Sequence, residues 1–275
     1  MKRLSTLLAT AALAATATAV PAATAATLTP ADVNGGAPAS EVSDLQVTDA
    51  VANSKWYKQY KDDDRVLKLQ ASSPAMDGRQ IPLAVIPAGE PNRPTIYLLN
   101  GAGSAEQDTD WLSKAQTVDF YADKKVNVVI PQAGAFSYYT DWEQTPNGKY
   151  LQGPQKWETF LTKELPGSIE SRLQANNKRA IAGMSMSATS SLLLAQHNQG
   201  FYQAVGSYSG CAETSTPMGN LFAEITVNRS GNTAAQMWGP QGSETNRHQD
   251  ALLNAEKLRG TELYISNGSG LIGEQ

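Results

Sequence analysis

The sequence is poor in cysteine and histidine and carries no excess of basic residues. Its 275 residues include one cysteine, Cys211, and two histidines. A lone cysteine excludes an intrachain disulfide, so stability must come from a packed core, and an apolar fraction of 41% is large enough to build one. The net charge is −4 and no basic stripe runs along the chain, which argues against a nucleic acid partner. No residues are spaced like metal ligands, so we expect neither a metal nor another cofactor.

The first 25 residues have the composition of a secretory signal peptide. Lys2 and Arg3 form a basic start, an alanine-rich apolar stretch runs from Leu7 to Val20, and Ala23-Thr-Ala is a small-residue cleavage site. The apolar stretch is too short and too rich in alanine to predict a membrane span. We therefore expect a secreted or cell-envelope protein whose mature chain, from residue 26, has no transmembrane segment.

The remaining sequence is expected to form a short arm and one α/β domain. Residues 26–62 are polar and irregular, which predicts a loosely ordered N-terminal arm, and residues 63–275 form the domain. There, apolar strands alternate with helical stretches, as is typical of a mostly parallel sheet with helices on both faces. The predicted strands are residues 66–71, 80–86, 95–99, 126–131, 180–182, 204–209 and 263–267. The predicted helices are residues 110–123, 155–176, 185–199 and 246–258.

The most informative segment is the turn Gly183-Met-Ser-Met-Ser, which follows a short apolar strand and precedes a leucine-rich helix. This strand–turn–helix context raises a serine hydroxyl above the sheet and marks the nucleophile elbow of an α/β-hydrolase fold. We therefore predict that fold, with Ser185 as the nucleophile. Ser187 stands where the elbow pattern has glycine, but serine is small enough to fit. The alternative is that Ser185 only caps a buried helix.

An acyl-serine mechanism also needs two amides that stabilise the oxyanion. The amide of Met186 opens the helix and is one candidate donor. The second should come from the loop Asn100-Gly-Ala-Gly after the strand 95–99, where glycines let the backbone approach a substrate. We favour the amide of Ala102 and expect Asn100, Gly101 and Gly103 to contact the substrate. The alternative is an ordinary tight turn.

The general base is the missing part. His197 lies twelve residues along the helix that Ser185 starts, about 18 Å from it, and cannot reach the hydroxyl. His248 precedes the last predicted strand, whereas in this fold the histidine follows the acid. Glu274 lies just past that strand, where the acid belongs, although it could instead be a solvated terminal residue. We expect that the histidine lies beyond Gln275, that the C-terminal part of the domain is missing, and that this chain alone is inactive.

Seven segments resemble the mycolyltransferases of the antigen 85 type, including their corynebacterial members. The resemblance runs from about residue 67 to 267, and the two tryptophan segments and the Met-Trp-Gly-Pro segment are its most specific parts. The segments are Tyr97-Leu-Leu-Asn-Gly, Val128-Val-Ile-Pro-Gln-Ala-Gly, Ser137-Tyr-Tyr-Thr-Asp-Trp, Lys156-Trp-Glu-Thr-Phe-Leu-Thr-Lys-Glu-Leu-Pro, Ala182-Gly-Met-Ser-Met-Ser, Gly206-Ser-Tyr-Ser-Gly and Met237-Trp-Gly-Pro.

This resemblance implies an exported acyltransferase with no cofactor. Such enzymes move a mycolyl group between trehalose monomycolates, giving trehalose dimycolate, or onto arabinogalactan, through an ester on the serine that matches Ser185. It also implies oxyanion donors at Met186 and Ala102 and an acid near Glu274. Asn100 and Gly103 replace an acidic residue and an arginine that hold the sugar in mycobacterial members. The resemblance therefore implies acyl transfer more firmly than it implies trehalose as the acceptor. The oligomeric state stays open.

Two other functions remain open on the sequence. A secreted carboxylesterase would use the same serine, with water as the acceptor. A non-catalytic envelope protein that binds glycolipid would keep the scaffold without a base. If the substrate is a long lipid, the apolar residues between Pro217 and Trp238 are candidates for its groove, but ordinary core packing is the preferred interpretation for them. These residues are Met218, Leu221, Phe222, Ile225 and Met237.

Overall fold

The computed structural model describes residues 36–268, which form an eight-stranded sheet in the order β1-β2-β3-β5-β4-β6-β7-β8. Strands β1, β2 and β3 pair antiparallel, as do β3 and β5, and the pairs from β5 through β4 to β8 are parallel. The strands are β1 Val42–Asp44, β2 Leu67–Ser73, β3 Arg79–Ile86, β4 Thr95–Leu99, β5 Asn127–Pro131, β6 Arg179–Met184, β7 Ala204–Tyr208 and β8 Glu262–Ser266.

Short helices connect the strands, and the two longest have twelve residues each. The α-helices are α1 Asp49–Asn53, α2 Lys55–Tyr60, α3 Trp111–Lys114, α4 Thr117–Tyr121, α5 Trp157–Thr159, α6 Leu165–Arg172, α7 Met186–His197, α8 Pro217–Asn228, α9 Ala234–Trp238 and α10 Glu244–His248. Tight helical turns lie at Pro74–Met76, Ala105–Gln107 and Ala255–Leu258, and a π-helical turn, Phe160–Glu164, joins α5 to α6 just before Pro166. Between residues 36 and 268, no helix has the length and apolarity needed to cross a bilayer.

Two apolar clusters lie on opposite faces of the sheet, because side chains alternate along each strand. On β5, Val129 belongs to the cluster under α5, α6 and α7, whereas Val128 and Ile130 belong to the cluster under α1 to α4. A mostly parallel sheet with helices on both faces is thus confirmed as the architecture.

The residues expected to form a loose N-terminal arm are integrated into this domain. Strand β1 pairs with β2, and Trp56 of α2 is buried in the core together with Val51 and Tyr60. The amide of Ser40 also donates to the carbonyl oxygen of Glu164 at 3.0 Å. The expected boundary at residue 63 therefore does not separate two structural units.

The last strand, β8, is the least covered part of the described sheet. Leu263, Tyr264 and Ile265 are 46%, 60% and 54% exposed. A cavity of about 730 Å³ lies on the face of the sheet that α3 and α4 cover, near the end of β6. Trp111, Phe120, Met184 and Tyr208 are among the residues that line it. Helix α7 covers the opposite face, so the two sides of β6 and β7 differ in their coverage.

Candidate active site

Ser185 forms the turn between β6 and α7 and is exposed. Its φ of 56° and ψ of −119° are unusual for a residue other than glycine, and such strain costs about 1–3 kcal/mol. Its amide donates to the carbonyl oxygen of Tyr208 on β7 at 2.8 Å, which fixes the turn to the sheet. The turn has the strand–turn–helix geometry that the sequence predicts, whereas the nucleophilic role of Ser185 remains a prediction.

Ser187 and Gly183 make this turn possible. The Ser187 hydroxyl is fully buried, accepts from the amide of Met184 at 3.0 Å and donates to the carbonyl oxygen of Leu99 at 2.8 Å. A Cβ at Gly183 would overlap the carbonyl oxygen of Ser187, so only glycine fits there. The sequence indicated only that Ser187 is small enough, and its hydrogen bond from helix α7 to strand β4 was missed.

The two candidate oxyanion donors emerge from neighbouring strands. Leu99 of β4 pairs with Gly183 of β6, and adjacent strands lie about 4.8 Å apart. Ala102 and Met186 each follow that pair by three residues, so both amides lie at the same edge of the sheet. Within residues 36–268, neither amide donates a hydrogen bond to a protein acceptor. This arrangement leaves both donors available to a ligand.

Asn100, Gly101 and Gly103 shape the loop from inside. The Asn100 amide group is fully buried, donates to the carbonyl oxygen of Pro131 at 2.6 Å and accepts from the amide of Trp111 at 3.1 Å. A Cβ at Gly103 would lie 2.7 Å from the Cβ of Gln107. The side chain of Asn100 thus has no accessible surface in this structure, and its contact with a substrate stays a prediction.

A strained aromatic segment forms the wall beside both amides. Phe136, Tyr138 and Tyr139 have φ values of 61°, 53° and 48°. The amide of Phe136 donates to the Ala102 carbonyl oxygen at 2.7 Å, and the amide of Tyr138 lies 3.4 Å from the sulfur of Met186. Burial raises the pKa of Tyr138 to about 12, so its phenol stays neutral. This wall was missed at the sequence level, although Ser137-Tyr-Tyr-Thr-Asp-Trp was a conspicuous segment there.

Both histidines lie far from Ser185. His197 ends α7, and its Nδ1 lies 3.0 Å from Glu158 Oε2. The ring of His248 stacks on that of His197, with ring centroids 4.1 Å apart. His197 thus lies at the opposite end of α7 from Ser185, with His248 beside it, and that neither histidine is the base stays a prediction.

Glu274, the candidate acid, lies outside the described residues. The structure shows only where the chain preceding it leaves the sheet. The amide of Ser209 donates to the carbonyl oxygen of Ser266 at 2.7 Å, and Tyr208 pairs with both Met184 and Ser266. The end of β8 thus lies two strands from the Ser185 turn, at the same edge of the sheet.

The apolar residues of α8 are not core residues, contrary to the preferred interpretation of the sequence. Met218, Leu221, Phe222 and Ile225 are all about half exposed or more. Only Met237 of the expected set is fully buried, next to Trp238, whose ring lies 4.8 Å from that of Tyr138. The helix instead buries its small residues, since a Cβ at Gly219 would overlap the carbonyl oxygen of Glu213.

Known proteins match most of the chain. The family described as putative esterase matches residues 73–271. The diacylglycerol acyltransferase/mycolyltransferase Ag85A of Mycobacterium tuberculosis is 34% identical over 206 residues, which cover 74% of this chain and 60% of the relative. Ag85B of Mycobacterium leprae is 31% identical over 210 residues, covering 75% and 64%. The chain thus spans about three-fifths of the length of the curated relatives that it matches.

Solved structures agree with the fold. The crystal structure of Mycobacterium tuberculosis MPT51 (FbpC1) has a TM-score of 0.64 and 26% identity, covering 73% of this chain and 72% of that one. An S-formylglutathione hydrolase from Agrobacterium tumefaciens has a TM-score of 0.54 at 15% identity, covering 74% and 86%, which supports the α/β-hydrolase fold alone. Because the family match spans about seven tenths of its length, this chain belongs to the esterase family and is similar, within it, to the mycolyltransferases of the antigen 85 type.

Proposed function

We propose that this chain belongs to an exported serine acyltransferase that moves a mycolyl group between trehalose monomycolates, or onto arabinogalactan. The observation that carries the proposal is the exposed Ser185 in a strained turn, flanked by the amides of Met186 and Ala102, which donate to no protein acceptor within residues 36–268. The names of the similar Ag85A and Ag85B proteins support acyl transfer over other chemistry of the fold.

In the first step, the Ser185 hydroxyl attacks the ester carbonyl of the donor glycolipid. Its proton passes to a base, and negative charge develops on the carbonyl oxygen, which the amides of Ala102 and Met186 stabilise. The carbon–oxygen bond to the donor sugar then breaks, and the sugar leaves as an alcohol with the proton. The mycolyl group is left as an ester on Ser185.

In the second step, a hydroxyl of the acceptor sugar attacks the acyl-serine and the same steps run in reverse. Product forms as an ester, such as trehalose dimycolate, and Ser185 recovers its proton. Transfer wins over hydrolysis when the acceptor is held close and water is kept out. The buried aromatic wall at Phe136 and Tyr138 supports the exclusion of water on one side.

The base is not supplied by His197 or His248, which stack on each other about 18 Å along α7 from the turn. We keep Glu274 as the candidate acid, since β8 leads toward the same edge of the sheet. Without an imidazole near Ser185, the turnover rate of the 275-residue chain is expected to be several orders of magnitude below that of an enzyme with a complete catalytic triad.

A fluorophosphonate probe tests the nucleophile directly. Because no imidazole lies near Ser185 among the described residues, labelling of the wild-type protein at Ser185 is expected to be slow. Ser185→Ala should lose this label, while Ser190→Ala on the same helix should keep it. A peptide map that places the label elsewhere, or no labelling above the Ser185→Ala background at long exposure, would contradict the proposal.

The exposure of Ser185 also favours a second candidate, a secreted carboxylesterase with water as the acceptor. A labelled acyl ester, offered with and without trehalose, separates the two. Sugar ester that increases with trehalose concentration supports the transferase, whereas free acid at every concentration supports the esterase.

The remote histidines favour a third candidate, a non-catalytic envelope protein that binds glycolipid. It predicts saturable glycolipid binding without fluorophosphonate labelling. Export itself is tested by sequencing the N-terminus of the protein from culture medium or envelope, where cleavage after Ala25 or Ala26 is expected. Recovery of the intact N-terminus would contradict export by a cleaved signal.

A further inference from the structure

Helix α8 presents an apolar stripe to solvent. Its four members follow the spacing i, i+3, i+4 and i+7, so they lie on one side of the helix. The opposite side packs into the domain through Gly219, Ala223 and Val227. The stripe consists of Met218, Leu221, Phe222 and Ile225, which are 60%, 48%, 52% and 54% exposed. Single exposed apolar residues are ordinary, but an aligned row on one helix indicates a contact surface.

The stripe ends at a positive charge. Arg229 follows Ile225 by four residues, on the same side of the helix. Its guanidinium lies 4.8 Å from the centre of the Phe136 ring and donates to Gln107 at 3.1 Å. Lys149 lies next to it, because its amide donates to the carbonyl oxygen of Ser230 at 2.9 Å.

Neither cation is neutralised within the described residues. No carboxylate between residues 36 and 268 forms an ion pair with Arg229 or Lys149, and the Lys149 ammonium lies 5.0 Å from the centre of the Tyr150 ring. The acid on α8, Glu224, accepts from the amide of Ala234 at 2.6 Å, away from the stripe. Although the net charge of the chain is −4, these two cations at the end of an apolar row have no ion-pair partner among residues 36–268.

The helix also leads to the candidate active site. Through Val227 and Ala223 it packs into the same core cluster as Tyr138 and Met186. Phe136, beneath Arg229, is the residue whose amide holds the carbonyl oxygen of Ala102. The surface is therefore continuous with the wall beside the oxyanion donors.

The geometry points to α8 as a lipid-docking helix: the apolar stripe enters the acyl region of a lipid surface while Arg229 and Lys149 bind its anionic headgroups. An apolar face bordered by cations is the pattern of helices that lie in a membrane interface. The two cations beside the stripe are complementary to an anionic lipid surface, which we take as the occupant; a second copy of the chain is an outcome that the test below distinguishes. The inference rests on the proposed function for its lipid substrate, yet binding is measurable without catalysis.

Vesicle co-sedimentation of the purified protein tests the docking. Binding is expected to be stronger to vesicles of phosphatidylglycerol and phosphatidylcholine than to phosphatidylcholine alone. It should weaken at about 0.5 M salt, because salt shortens the Debye length and screens the attraction between exposed charges. Arg229→Gln and Lys149→Gln should each lower the partition coefficient on anionic vesicles about fivefold. Phe222→Ser should lower it about tenfold on both kinds of vesicle.

Matched controls distinguish docking through the stripe from nonspecific binding to vesicles. Leu253→Ser removes an apolar side chain that is 52% exposed but off the stripe, and Lys163→Gln removes a lysine far from it. Both should bind as wild type, with thermal melting checked for every variant. Ser185→Ala should also bind as wild type, so a failure of catalysis is distinguishable from a failure of docking.

Two outcomes would overturn the inference. One is equal binding of wild type and Phe222→Ser to anionic vesicles. The other is a protein that does not bind vesicles but is a dimer in analytical ultracentrifugation, with Phe222→Ser monomeric. That result would assign the stripe to a second copy of the chain.

Discussion

The side-chain hydroxyl of Ser187 donates to the carbonyl oxygen of Leu99 across 2.8 Å, and so ties the turn that carries Ser185 to the strand that carries the Ala102 loop. The hydroxyl oxygen of Ser187 also accepts a hydrogen bond from the amide of Met184. One buried hydroxyl thereby sets the relative position of the nucleophile candidate and both candidate oxyanion donors. Glycine at this position could make neither bond.

Ser187→Ala is expected to destabilise the protein by about 1–3 kcal/mol, because it leaves the Met184 amide without its acceptor and removes one of the two side-chain donors to the Leu99 carbonyl, the other being the Trp111 indole. Urea unfolding measures the change. Ser190→Ala is the matched control, since its hydroxyl makes one bond of 3.3 Å within α7 and its loss should cost much less. Equal losses in the two variants would show that the bond between Ser187 and Leu99 has no special role.

Replacing Ser185 separates backbone strain from chemistry. Glycine adopts a φ of 56° readily, whereas alanine keeps the strain, so Ser185→Gly should be at least as stable as Ser185→Ala, by up to about 1 kcal/mol. Differential scanning calorimetry compares the two, and both should lose fluorophosphonate labelling. A clearly less stable glycine variant would mean that the turn is not strained.

Removing one partner of the buried pair between Glu170 and Arg179 is expected to cost more stability than removing one partner of an exposed pair. Two bonds of 2.7 Å join them, and the hydroxyl of Tyr97 donates to Glu170 at 2.8 Å. Glu170→Gln leaves a buried guanidinium without its counter-charge and should cost about 3–5 kcal/mol. The exposed pair of Asp44 with Arg172 is the control, and Asp44→Asn should cost at most about 1 kcal/mol in the same denaturation assay.

The stacked histidines predict a pH dependence. Burial, and then the nearby His197, lower the pKa of His248 below its ordinary 6.5; Lys257 lowers it further, and Glu158 opposes the shift. A lowered folded-state pKa means that the unfolded chain binds more protons in this window, so the stability present above pH 6.5 is lost as the pH falls below it. Melting temperatures of wild type and His248→Asn should therefore diverge between pH 7 and 5, with wild type losing more. Parallel curves would contradict this account.

Local sequence patterns were sufficient for the strands and for the turn. The strand 95–99 was predicted with its observed bounds, because a β-branched apolar run between a proline and an asparagine leaves few alternatives. The Ser185 turn followed from small residues between a strand and a helix. These features depend on neighbours in the sequence, which is why they could be predicted.

Features that depend on tertiary contacts could not be predicted. The expected helix 246–258 breaks after His248, because the carboxylate of Asp250 accepts from the amides of Ser215, Leu252 and Leu253. Nothing local indicates that Phe136 has a positive φ or that Asn100 is buried. The α8 stripe was misjudged for the same reason, since helical spacing shows which residues share a face but not what covers it.

The exposed strand β8 has a consequence for the self-association of this protein at high concentration. Its outer backbone N–H and C=O groups meet no further strand among the described residues, and Leu263, Tyr264 and Ile265 flank them with uncovered apolar surface. Such an edge is a template onto which another polypeptide can add by hydrogen bonding. At high concentration, the β8 edges of two molecules should consequently pair, and Ile265→Lys should prevent this pairing.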